Sequence, residues 1–185
     1  MALFTIREIL DLVIMSGALG YIFMSYIPRI QSSRFSAGFN WEDFKFALYI
    51  TVPAIAFHEL MHKFVALFLG IKEAVFHASY FGLFLGVFLK LIHSPFMIFI
   101  PGYVSIAGAE PLQGALTAFA GPAANLLLFF GAKFILERKK TLTRQQALGL
   151  YLTKQINLFL FIFNMLPIPP FDGSQVFAGL YHTLF

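Results

Sequence analysis

Four apolar stretches dominate the chain, at residues 12–28, 46–69, 113–136 and 148–166. A helix that crosses a bilayer needs about 20 such residues, so the pattern predicts four transmembrane helices. Arg7, Glu8 and Asp11 precede the first stretch, and Arg29 and Arg34 follow it. No small-residue cleavage site follows it, so it reads as a retained span and not a signal peptide. The polar linker 29–45 leads into the second stretch, with Trp41 and Tyr49 where interfacial aromatics anchor a helix. Gly70 closes that second stretch. In the third, Ala118, Ala120, Gly121, Ala123 and Ala124 form a small-residue surface that favours close helix contact. Pro167, Pro169 and Pro170 end the fourth, because proline cannot continue a helix. A loop and tail, 167–185, follow, with room for a short terminal helix.

Residues 71–112 fit neither period well. They are apolar and aromatic, but Lys72, Glu73, Lys90, Pro95, Pro101 and Glu110 interrupt them. Non-helical backbone at membrane depth must be buried in protein or line a wet cavity. Segments such as Glu73–Phe88 fit strands, a re-entrant hairpin or a poor helix, and the expectation is irregular, re-entrant or short β structure packed beside a site. The fold class is therefore an α-helical polytopic membrane protein, a single membrane domain over 1–185.

Composition strengthens this reading. Of 185 residues, 59% are hydrophobic and 12% charged, and 25 are Phe. A soluble domain carries about 25% charged residues, so this chain has too few to cover a water-facing surface. The net charge of +4 does not point to nucleic acid, because nine of the 13 Lys and Arg lie in 29–45 and 133–154, between apolar runs. That asymmetry places those two loops on the cytoplasmic side. Cysteine is absent, which excludes disulfides, thiol nucleophiles and Cys-rich zinc sites.

The second stretch contains His58-Glu59-Leu60-Met61-His62. Four residues advance a helix by about 400°, so the two imidazoles share one face, about 6 Å apart along the axis. Both can reach one zinc ion at about 2.0–2.1 Å. Glu59 then stands beside the metal, where a general base belongs. A structural alternative satisfies both histidines with neighbouring helices and pairs Glu59 with Lys63. Ionisable groups are costly within an apolar run, which favours a functional site. A catalytic zinc needs a third protein ligand and one open position. Without cysteine that ligand is His, Asp or Glu, and Asp172, at the broken end of the fourth stretch, is a candidate. A plain Asp-Gly turn is its alternative. His77, His93 and His182 read as interfacial or core histidines.

With HELMH at 58–62, FAGPAAN at 119–125 and NMLPIPPFDG at 164–173, the chain resembles the site-2 protease family of intramembrane zinc metalloproteases over residues 46–175. The resemblance implies a three-helix catalytic core made of the second, third and fourth helices. It implies one Zn²⁺ held by His58, His62 and Asp172, with Glu59 as general base. Asn125 is implied to hold substrate or the developing oxyanion, with a helix–helix hydrogen bond as its alternative. Asn164 is implied to position the loop or the substrate backbone, with a C-terminal cap or turn as its alternative. The expected activity is hydrolysis of peptide bonds within or near transmembrane segments. The expected partners are a transmembrane protein or peptide substrate and the lipid bilayer, with no nucleic acid. The expected location is a prokaryotic cell membrane, as a multi-pass protein. Only 12 residues follow Gly173, so no appended PDZ or CBS-like module is expected. The family resemblance puts the connection of the third and fourth helices outside the cell, whereas the charge asymmetry puts it inside.

Other chemistries fit less well. There is no G-x-S-x-G for a serine enzyme, no G-x-G-D for an aspartyl one, and no E-x-x-x-D after the histidine pair for a different zincin. From other classes, a metal transporter using His58, His62 and Asp172, or a silent helix-binding scaffold, remain as alternatives.

Overall fold

The computed structural model describes residues 5–24, 39–71, 73–94, 96 and 102–185. Six helices and one two-stranded sheet are ordered α1 (Ile6–Phe23), α2 (Trp41–Phe68), β1 (Glu73–Ala78), α3 (Tyr80–Leu91), β2 (Gly102–Ala107), α4 (Pro111–Arg138), α5 (Arg144–Asn164) and α6 (Asp172–Leu184). Among the described residues, two helices, α2 and α4, are long and apolar enough to cross a membrane.

Helix α1 begins six residues before the expected 12–28 because Thr5 and Glu8 form a capping box there. The backbone N–H of Glu8 donates to Thr5 Oγ1 at 3.2 Å, and that of Thr5 donates to Glu8 Oε2 at 2.7 Å. Residues 25–28 of the expected span, and 29–38 of the linker, lie outside the described residues. Asn40 caps α2 by accepting from the N–H groups of Glu42 and Asp43 at 2.9 and 3.1 Å, so this helix too starts ahead of its apolar run. Helices α4 and α5 likewise extend the expected 113–136 and 148–166 at their N-terminal ends, through capping boxes at Glu110 and Thr143.

The 71–112 region contains both strands and a helix. Strands β1 and β2 pair antiparallel, with Phe76 opposite Val104 and Ala78 opposite Gly102. The short strands match the expectation. Helix α3 takes the helical alternative over part of the segment, and it forms because Ser79 caps the apolar run after it by accepting from Gly82 N–H at 3.2 Å. Lys90, which read as a break, donates to the Tyr21 carbonyl of α1 and sits over the Tyr21 ring. Lys72, Pro95 and Pro101 are outside the described residues.

Two packed regions result. Met15, Leu19 and Ile22 of α1 meet Ile55 of α2, Phe76 and Ala78 of β1, Leu83 of α3 and Val104 of β2. In the second region α4 lies against α2, α5 and α6, and its contact surface is made of Ala115, Ala118, Gly121, Pro122 and Ala124, all buried. Small side chains let backbones approach closely, and the site lies in this region.

Candidate metal centre

His58 and His62 are buried on one face of α2, as their spacing requires. Asp172 is buried in the first turn of α6, where the helix dipole favours a carboxylate. Gly173 explains how it gets there. A Cβ on Gly173 would meet the Leu166 carbonyl oxygen at 2.6 Å and the Met165 carbonyl group closer still. Only glycine lets the start of α6 press against the end of α5, which turns Asp172 towards α2.

Three ligand atoms converge. His58 Nε2 and His62 Nε2 are 3.0 Å apart, and Asp172 Oδ2 lies 3.2 and 3.3 Å from them. Around a tetrahedral zinc with ligands at about 2.0–2.1 Å, neighbouring ligand atoms stand about 3.3–3.4 Å apart. The distances therefore suit one small cation. So does the bonding: Asp172 Oδ2 is buried with no hydrogen-bond partner, despite its closeness to both rings.

The other ring nitrogens explain that orphan. His62 Nδ1 lies 2.7 Å from the Thr117 carbonyl oxygen. A carbonyl only accepts, so Nδ1 carries the proton and a neutral ring turns the Nε2 lone pair inward. His58 Nδ1 lies 2.6 Å from Asn125 Oδ1, which has the same consequence. Two lone pairs and a carboxylate oxygen face one point, as in a metal site whose histidines are oriented from behind. Gly121 closes the back of this space. A methyl there would meet His58 Nε2 at 2.6 Å and His62 Nε2 closer still.

Glu59 is buried beside its histidine neighbours, and its Oε2 has no hydrogen-bond partner. The ion pair with Lys63 considered from the sequence is not the one formed, because Lys63 Nζ instead donates to Glu8 Oε1 at 2.5 Å. Glu59, His58 and Asn164 border a small cavity with Met15, Ile55, Gly102 and Leu160, with about 10 Å³ for a water centre. That is close to the minimum for one water molecule. Asn164 is thus beside the site, at the end of α5.

Asn125 is fully buried. Its Nδ2 donates to the Ala54 carbonyl at 3.1 Å and to Asn157 Oδ1 at 2.9 Å, while its Oδ1 faces His58. Both amide hydrogens are committed between helices, the arrangement that is the alternative to a substrate or oxyanion role. Asn157 was not singled out in the sequence. Its only clue is the spacing of seven residues from Asn164, which puts both on one face of a helix.

Known proteins agree with this chemistry. The chain is 38% identical over 175 residues to "Putative zinc metalloprotease MJ0611" of Methanocaldococcus jannaschii, covering 94% of this chain and 84% of that one. It is 34% identical to "Putative zinc metalloprotease YwhC" of Bacillus subtilis over 37% of this chain and 35% of that protein. It is 28% identical to "Putative zinc metalloprotease sll0528" of Synechocystis over 88% of this chain and 38% of that protein. No family model matches the chain, and no solved structure matches it.

Proposed function

The chain belongs to a zinc metalloprotease family, and from that premise we propose that it is an intramembrane endopeptidase of the site-2 protease type. On this reading it is a multi-pass protein of a prokaryotic cell membrane with four spans, α1, α2, α4 and α5. It cuts peptide bonds within or near transmembrane segments of other membrane proteins, with one zinc per chain. The observation that carries the proposal is the convergence of His58, His62 and Asp172 on one point beside an unpartnered Glu59, inside an apolar helix. The surface supports a lipid setting: Phe68, Phe81 and Phe64 are 83%, 75% and 64% exposed.

Zinc at this point would polarise the scissile carbonyl and acidify a water to a pKa of about 7. Glu59 is placed to take a proton from the attacking water and return it to the leaving amine. The small cavity beside it is where that water fits.

Substrate must reach the site extended, because a helix keeps its carbonyls bonded within itself. Strand β2 offers it an edge. The N–H groups of Phe76 and Ala78 on β1 donate to Glu8 Oε1 and Asp11 Oδ2 of α1, each at 3.2 Å. These residues therefore form non-hydrogen-bonded pairs with Val104 and Gly102, whose own N–H groups turn to the edge away from β1. Gly102 borders the cavity at Glu59, so a strand added there would lie against the site.

The test is cleavage of a transmembrane reporter by the reconstituted full chain, with and without a chelator. We expect cleavage that chelation stops and zinc restores. Glu59→Gln should keep zinc and lose about 10²–10⁴-fold in rate, and Asp172→Ala should lose zinc. Metal flux into vesicles without reporter cleavage would overturn the protease reading in favour of a transporter.

A further inference from the structure

Behind His58 lies a line of buried amides that ends on α5. The Thr153 carbonyl can only accept a hydrogen bond, and Asn157 Nδ2 donates to it at 2.8 Å. That fixes which way the Asn157 amide faces: its Oδ1 is presented to Asn125 Nδ2 at 2.9 Å. The Ala54 carbonyl, also only an acceptor, takes a second bond from Asn125 Nδ2 at 3.1 Å. Asn125 is thereby held with Oδ1 towards His58 Nδ1 at 2.6 Å. Two backbone carbonyls, one on α2 and one on α5, set the direction of the whole line. Asn125 and Asn157 are both fully buried, so water does not compete for the bond between their amides.

From this geometry we infer that Asn157 is a positioning residue for the metal centre, acting through Asn125. It holds the Asn125 amide so that His58 carries its proton on Nδ1 and offers Nε2 to zinc. Reversing the Asn125 amide would put an N–H against Nδ1 and drive the proton to Nε2, the nitrogen that must ligate. Asn157 belongs to none of the three motifs, and it makes α5 a part of the zinc site at a position well before the Asn164 element. The inference rests on the metal reading of the proposed function.

The test is zinc affinity of the full chain in detergent, measured by competition with a chelator, with the ligand-field absorption of Co²⁺ as a second readout. Loss of an outer partner typically weakens metal binding about 10–100-fold. Asn125→Leu should lose that much, and Asn157→Leu about tenfold, with an altered Co²⁺ band. Asn157→Ser is the variant to use if leucine prevents folding. Its hydroxyl can bond the Thr153 carbonyl one turn back but is too short to reach Asn125, so it should match the leucine variant. Asn157→Asp should stay within about twofold of wild type, because a buried, protonated carboxyl donates to Thr153 and accepts from Asn125 as the amide does. Wild-type affinity in the serine or leucine variant, or an aspartate variant as weak as serine, would overturn the inference. A wild-type chain that binds no zinc would overturn the metal reading and this inference with it.

Discussion

Gly121 is where the site tolerates least. Its missing side chain is the space next to both ligating nitrogens, and it lies within α4, where helix propensity favours alanine over glycine by about 1 kcal/mol. Gly121→Ala should therefore strengthen the isolated helix and damage the site. Overpacking of this kind costs about 1–3 kcal/mol, or about 5–150-fold in zinc affinity. Zinc titration of the variant checks this, and unchanged affinity would mean the helices part freely at this contact. The histidine pair was legible in the sequence because helical spacing is a local property. Asp172 was legible as a candidate from chemistry and resemblance. For Asn125 the sequence offered helix–helix bonding as an alternative but not its partners, which depend on which amide end meets residues 71 and 32 positions away.

At the scale of elements, the polar start of α1 matters most. Glu8 and Asp11, expected to flank a span, are buried within the helix. Glu8 accepts from Lys63 on α2 and from the N–H of Phe76 on β1. Asp11 accepts from the N–H of Ala78 and from the Tyr80 hydroxyl. Together they tie α1 to the edge of β1 that faces away from β2. Leaving a buried backbone N–H without its acceptor costs about 1–3 kcal/mol, so Glu8→Ala should destabilise the fold by about that amount and speed hydrogen exchange at the Phe76 amide. Exchange there at the wild-type rate would show that β1 does not depend on α1. These contacts explain why the boundaries of α1 were misread. Hydrophobicity alone marks where lipid can touch, whereas a helix runs as far as its caps and buried partners allow. Helix α3 ranked behind irregular or β structure for a related reason: a 12-residue apolar run is too short for a span, so its existence turns on the Ser79 cap.

For the molecule as a whole, the proposed zinc ligands come from elements far apart in sequence. His58 and His62 belong to α2 and Asp172 to α6, and α4 packs against both. Without a cation, the two imidazoles and the buried carboxylate stand about 3 Å apart, close enough for a proton on a ring to pair with Asp172. Zinc bound there would displace that proton and link the two ends of the core. Zinc at 100 times its dissociation constant should therefore stabilise the folded chain by about 2.7 kcal/mol, which for a chain of this size raises the unfolding temperature by about 5–10 °C. A chelator should return it to the starting value. Asp172→Asn should abolish most of the gain from zinc, because a neutral amide is a far poorer ligand than a carboxylate. Thermal unfolding of both proteins, with and without zinc, checks this. An unchanged gain in Asp172→Asn would mean that zinc is held by α2 alone and that α6 is not bound into the centre.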